Sequence, residues 1–182
     1  IICDGWSAGI IIRELAAFYE ANAKGVSPAL PPLTIQYADF AHWQANSLKG
    51  DAFQEELAYW KEQLQGRLPL LDLPADKPVP SRLVSRGDTE TLSLAPDLVA
   101  KIKEICRREE VTMFMFFLAV FKAMLHRYTG QEDILVGSPV AGRSPETEGV
   151  IGLFSYPISL RTDVRGELSF RELLHRVRDV TL

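Results

Sequence analysis

Cysteine and histidine are scarce in this chain, with two of the first and three of the second in 182 residues. Cys3 and Cys106 are too few for a disulfide framework and lack metal-ligand spacing, so a reducing cytoplasm is the natural setting and both are expected to be small buried apolar residues. No H-E-x-x-H or other metal constellation occurs, and no bound metal is expected. An excess of one charge is also missing. Twenty Lys and Arg stand against 24 Asp and Glu, a net charge of −4 without a long block of either sign, which excludes a nucleic-acid footprint and a basic membrane patch. The longest unbroken apolar run, Met113 to Phe121, falls well short of the roughly 20 residues that span a bilayer, so it reads as a buried helix and no membrane partner is expected. Neither an initiator Met nor a basic n-region precedes "IICDGWSAGIIIREL", which reads as the interior of a longer polypeptide rather than a signal peptide. There is no internal repeat or low-complexity tract.

What is present supports a folded mixture of helix and strand. A hydrophobic content of 47% suffices for a sizeable core. Ser7 can cap a helix with apolar Ile11, Leu15 and Phe18 at helical spacing, which Gly25 should stop. "VSPALPPL" is a proline-rich loop, and a second helical region runs from about Gln36 through "YADFAHWQ" to "AYWKEQLQG" with a break at Lys49-Gly50-Asp51. Pro69, Pro74, Pro78 and Pro80 fall within twelve residues, a density that forbids helix and central strand, so residues 69–86 read as an extended connector between lobes.

Beyond the connector, "TETLSL" alternates as a strand does, and Pro96 opens a helix with Leu98, Ile102, Ile105 and Cys106 on one face. Thr112 caps the very apolar helix that ends at Thr129-Gly130. "DILVGSPV" reads as a short buried strand and "LFSYPISLRTDV" as another, with Pro157 placing the latter at an edge or a bulge. Ser169 and Glu172 have capping-box spacing ahead of a buried stripe of Phe170, Leu173, Leu174 and Val177. The expected fold class is α/β, helices layered on a sheet in an α+β two-layer sandwich.

Few residues offer chemistry. "GSPVAGRS" has the form G-x4-G-R-S after a strand, but Pro139 removes a cradling N–H, arginine replaces lysine, and no apolar helix follows, so phosphate binding is rejected. His42, His126 and His175 each sit in an expected helix, with nothing in the sequence to pair them with Cys3 or Ser7 for nucleophilic catalysis. Asp4-Gly5 remains, at a strand-to-helix turn. Its carboxylate could orient a base, pair with an arginine or cap the helix, and spacing alone favours the cap; Gly5 suits a tight backbone.

"IICDGWS" resembles the tail of the HHxxxDGxS motif of condensation domains in nonribosomal peptide synthetases, with Ile1, Ile2 and Cys3 as variable positions and then Asp4, Gly5 and Ser7. The two motif histidines would be the residues immediately before Ile1. "YADFAHW", Tyr37 to Trp43, resembles the family's YxDFAxW, and "YWKEQLQG", "LPADKPVP", "RYTGQEDILVGSPVAGR" and "FRELLHRVR" follow in the family's order, so the likeness covers essentially the whole chain. The resemblance implies a chloramphenicol acetyltransferase-like fold with the active site in a tunnel between two lobes. Residues 1–68 would end the first lobe, 69–86 would join the lobes, and 87–182 would begin the second.

It also implies amide-bond formation between thioesters carried by upstream and downstream peptidyl carrier domains, beside an adenylation domain in the same megasynthase. The phosphopantetheine arms belong to those carriers, and no cofactor is bound directly. Asp4 would be held by an arginine, with Arg143 the candidate; Gly5 would leave room for a thioester arm; Ser7, Phe154 and Tyr156 would lie at the substrate tunnel. The stretch alone should be inactive, since the base would precede Ile1. "IGLFSYPI" departs from the family's [IV]GxFVNT, with Ser155, Tyr156 and Pro157 in place of Val, Asn and Thr. That departure admits altered donor specificity, an inert docking module, or a heterocyclisation or epimerisation subtype, although "DGWSAGIIIREL" is more like the peptide-bond-forming members.

Overall fold

A computed structural model describes residues 2–75 and 87–182. Among the described residues, six helices and two strands follow in the order α1 (Gly5–Ala23), α2 (Tyr37–Ser47), α3 (Asp51–Gln63), α4 (Pro96–Arg108), α5 (Met113–Thr129), β1 (Asp133–Ala141), β2 (Ser155–Asp163) and α6 (Phe170–Thr181), with a short 3-10 turn at Pro145–Thr147. The class is α/β. The strands pair antiparallel, the Gly142 N–H donating to the Phe154 carbonyl at one end of the ladder and the Val164 N–H to the Glu132 carbonyl at the other. Among the described residues the sheet is two-stranded, and Pro157, which has no N–H to donate, lies in β2.

Local signals set most boundaries. Lys24 ends α1 and Gly25 follows at φ +69, with the Val26 N–H returning to the Ala21 carbonyl as a left-handed stop requires. Gly130 ends α5 in the same conformation, and Ser169 caps α6 by accepting from the Glu172 N–H. Five expectations need correction. "TETLSL" is not a strand: residues 87–95 have no regular structure, because alternation creates a ladder only where a neighbour supplies hydrogen bonds. Ile11, Leu15 and Phe18 are exposed while Ile10 and Ala21 are buried, since α1 is apolar on several sides and its spacing selects no single face. Phe170 and Leu98 lie largely outside their stripes, and the run from Met113 buries Met115, Phe116, Leu118 and Ala119 but exposes Phe114, Phe117, Val120 and Phe121. Cys106 is buried, whereas Cys3 is only half-buried.

The chain divides into two compact units, Ile1–Gln65 with Gly137–Ile158, and Gly66–Val136 with Ser159–Leu182. Residues 76–86 of the expected connector lie outside the described residues. In the second unit α5 packs on α4 and α6. Its fully buried Lys122 donates to the Leu160 carbonyl at 2.8 Å and to Thr162 Oγ1. Among the described residues no single helix is long and apolar enough to cross a membrane.

Candidate functional site

The first unit assembles the "DGWS" turn. Asp4 is the N-cap of α1, with extended backbone, and its Oδ1 accepts from the Ser7 N–H at 2.8 Å. Ser7, expected to be the cap, is instead a helical residue turned inward and completely buried. Arg143 Nη2 lies 2.9 Å from Asp4 Oδ1 and 3.2 Å from Oδ2, and the Phe154 N–H donates to Oδ2 at 3.1 Å. Both partners of the ion pair are more than nine-tenths buried, with side-chain exposures of 4% for Arg143 and 8% for Asp4. Of the three roles open to Asp4 from spacing, orienting a base, pairing with an arginine and capping the helix, the structure shows the cap and the ion pair together.

Burial alone would raise the Asp4 pKa. Hydrogen bonds from the Ser7 N–H, Arg143, the Ser7 hydroxyl and the Phe154 N–H outweigh it and hold the carboxyl well below the ordinary carboxylate range. A carboxylate so saturated is a poor proton acceptor. Arg143 completes its own bonding by donating from Nη1 to the carbonyls of Thr147 at 2.7 Å and Val150 at 2.8 Å, and its guanidinium stacks 4.1 Å from the Phe154 ring centroid. Its Nε is a buried side-chain nitrogen without a hydrogen-bond partner among the described residues.

Ser7 Oγ accepts from Arg143 Nη2 at 2.8 Å and from the Gly152 N–H at 3.0 Å. Its single proton goes to either Asp4 Oδ1 or the Gly152 carbonyl, both 2.8 Å away. Ser7 is thus fully occupied by bonds within the turn and has no exposed surface in the structure. Gly5 is an ordinary first-turn residue of α1, and a Cβ built on it meets nothing within 4 Å, so the space beside it is open. Phe154 is buried, whereas Tyr156 is half exposed and lies over Gly142, where an added Cβ would come within 2.6 Å of the ring. Tyr156, Phe154, Leu153, Phe40 and Trp43 line a cavity of about 630 Å³.

Each of the three histidines has a local partner: His42 meets Asn46, His126 the Gln131 carbonyl and His175 Glu109. No cluster of three metal-ligating side chains occurs among the described residues. Sequence reasoning missed the contact of Tyr37 with Gly152 and Leu153. Both partners lie within quoted motifs, but nothing in either motif says that they meet.

Known proteins are similar to this chain in sequence and in fold. A family model described as Condensation domain matches residues 1–182. One of the linear gramicidin synthase subunits of Brevibacillus parabrevis is 51% identical over 180 residues, which are 98% of this chain and 4% of that much longer protein. The X-domain from teicoplanin biosynthesis, also solved in complex with OxyB, superposes with a TM-score of 0.90 at 27% identity over 99% of this chain and 41% of its own. The first condensation domain of the CDA synthetase shares the fold at a TM-score of 0.69 and 22% identity, over 100% of this chain and 40% of its own. The chain thus spans a small part of the synthase and about two-fifths of each solved domain.

Proposed function

This chain belongs to the condensation domain family of nonribosomal peptide synthetases, and from that premise we propose that it is part of a domain joining a donor acyl or peptidyl thioester to an acceptor aminoacyl thioester. The observation that carries the reading is the saturated Asp4 carboxylate, locked to Arg143 beneath the first turn of α1. Such a group holds a turn in place and leaves proton transfer to another residue. The proposed base is the second motif histidine, directly preceding Ile1, where an imidazole that titrates near neutrality can position the amine or take its proton.

In this reading the neutral amine of the acceptor attacks the donor carbonyl carbon, forming the C–N bond. The tetrahedral adduct loses the amine proton and collapses, and the donor carrier's pantetheine leaves as a thiol. Asp4 and Gly5 act by position: one fixes the turn, and the other leaves open the space that a thioester arm needs. Phe154 and Tyr156 are proposed as tunnel residues, with Ser7 supporting them from beneath. The partners are the two carrier domains, which bring the phosphopantetheine, and the neighbouring adenylation domain; the setting is cytoplasmic. Residues 1–68, 69–86 and 87–182 are assigned to the end of the first lobe, the connector and the start of the second.

A second reading has its own support. Tyr156 stands where the motif has asparagine, and the X-domain, with which this chain superposes so well, is solved with OxyB. The domain would then dock a protein and condense nothing. The complete domain, given two loaded carriers, separates the readings. Dipeptidyl thioester should form and should fall at least about 100-fold when the second motif histidine becomes alanine. No product from a well-folded wild type would support the docking module instead.

A further inference from the structure

We infer that Tyr37 is a positioning residue for the condensation proposed above, acting from α2 on the Asp4 turn through the segment Gly152–Phe154. Each residue of that segment is held by a different side chain. Ser7 holds the Gly152 N–H and faces its carbonyl, the Tyr37 hydroxyl donates to the Leu153 carbonyl at 2.9 Å, and Asp4 accepts from the Phe154 N–H. The Tyr37 ring also lies directly against the Gly152 backbone, where a Cβ would fall 2.1 Å from Cδ2, so only glycine admits the ring. The same ring meets Phe154 edge-on at 5.1 Å between centroids, and Phe154 in turn stacks under the Arg143 guanidinium.

The contacts form an unbroken chain from α2 to the catalytic turn. Tyr37 sets the height of residues 152–154; these fix both the amide that Asp4 accepts from and the ring on which its arginine rests. Tyr37 is itself partly exposed, at 36%, but its ring rests on buried Gly152 and Phe154, and a shift that reaches those two is transmitted because the interior has no slack. A displacement of well under 1 Å at the turn would carry the proposed base off line, where rates fall steeply. Tyr37 has no place in the proposed chemistry itself, so its loss should slow turnover and leave carrier affinity unchanged.

The inference rests on the condensing reading, and its test uses the parent synthetase with both carriers loaded. Tyr37→Phe keeps the ring and removes one hydrogen bond. The expected result is a kcat lower by roughly fivefold, KM for the acceptor carrier within about twofold of wild type, and faster amide hydrogen exchange in the peptide covering residues 150–156. Gly152→Ala should exceed both effects, while exchange in α5 and α6 stays unchanged and shows that the fold is retained. Unaltered kcat in an active Tyr37→Phe variant overturns the positioning role, whether or not exchange quickens. A wild-type synthetase that condenses nothing removes the reaction and the positioning role together, while unaltered exchange at 150–156 removes the structural clamp on its own.

Discussion

Arg143 illustrates what charge alone does not supply. Its two terminal nitrogens serve a carboxylate, a hydroxyl and three carbonyls at once, and its plane lies on Phe154. Lysine keeps the charge but can reproduce neither the fork nor the stack. Arg143→Lys should therefore lower stability by about 2 kcal/mol, and Asp4→Asn by about 3 to 5 kcal/mol because it strands a buried cation. Denaturant midpoints of the domain check both. Lys122 makes a different prediction. Burial, only partly offset by Asp133, lowers its pKa from 10.5 to about 8. Between those values the unfolded chain holds a proton that the folded chain has released, so stability rises with pH from about 8 to 10.5. The gain is roughly 3 kcal/mol. Lys122→Met has no such titration, so the wild type should gain on it across that window in denaturation measured at stepped pH; parallel curves would show that the buried amine does not titrate there.

At the scale of elements, the turn between α4 and α5 closes without the residue it favours. Glu110 has φ +54, and the Val111 N–H returns to the Cys106 carbonyl at 2.9 Å, so a side chain occupies a left-handed position natural to glycine. Glu110→Gly should stabilise by about 1 kcal/mol, seen as a rise of a few degrees in melting temperature. The chain's caps were legible because they depend on neighbours: Pro96 at the start of α4, Thr112 before α5, the Ser169–Glu172 box, and Gly25 and Gly130 after their helices. The failures share a non-local cause. Asp4 and Ser7 are both good cap residues, and the choice falls to Asp4 as part of a network whose arginine lies 139 residues on. "TETLSL" alternates correctly but has no ladder partner among the described residues. The meeting of Tyr37 with Gly152 depends on two elements coming together, and periodicity carries no trace of it.

Across the whole molecule, each compact unit buries its own ionised carboxylate. The first has Asp4 on Arg143; the second has Glu109, whose side chain is 3% exposed and meets Arg108 at 3.0 Å, Arg171 at 2.6 Å and His175 at 3.1 Å. Hydrogen bonds from Arg108 first, then Arg171, lower the Glu109 pKa from 4.5 to about 2, against the opposing effect of burial. Its stabilisation is complete above pH 4.5 and is lost as pH falls through the window down to about 2, because the unfolded state takes up the proton first. Asp4, also held low, loses its contribution in the same direction. Acid sensitivity is thus written into both units separately, by side chains that share no partner. Sites without shared partners act independently, and compact units open as their own cooperative steps. Glu109→Gln should therefore flatten the acid dependence of hydrogen exchange in α4 and α6 while leaving α1 as acid-sensitive as before. Equal flattening in α1 would mean that the two units open as one.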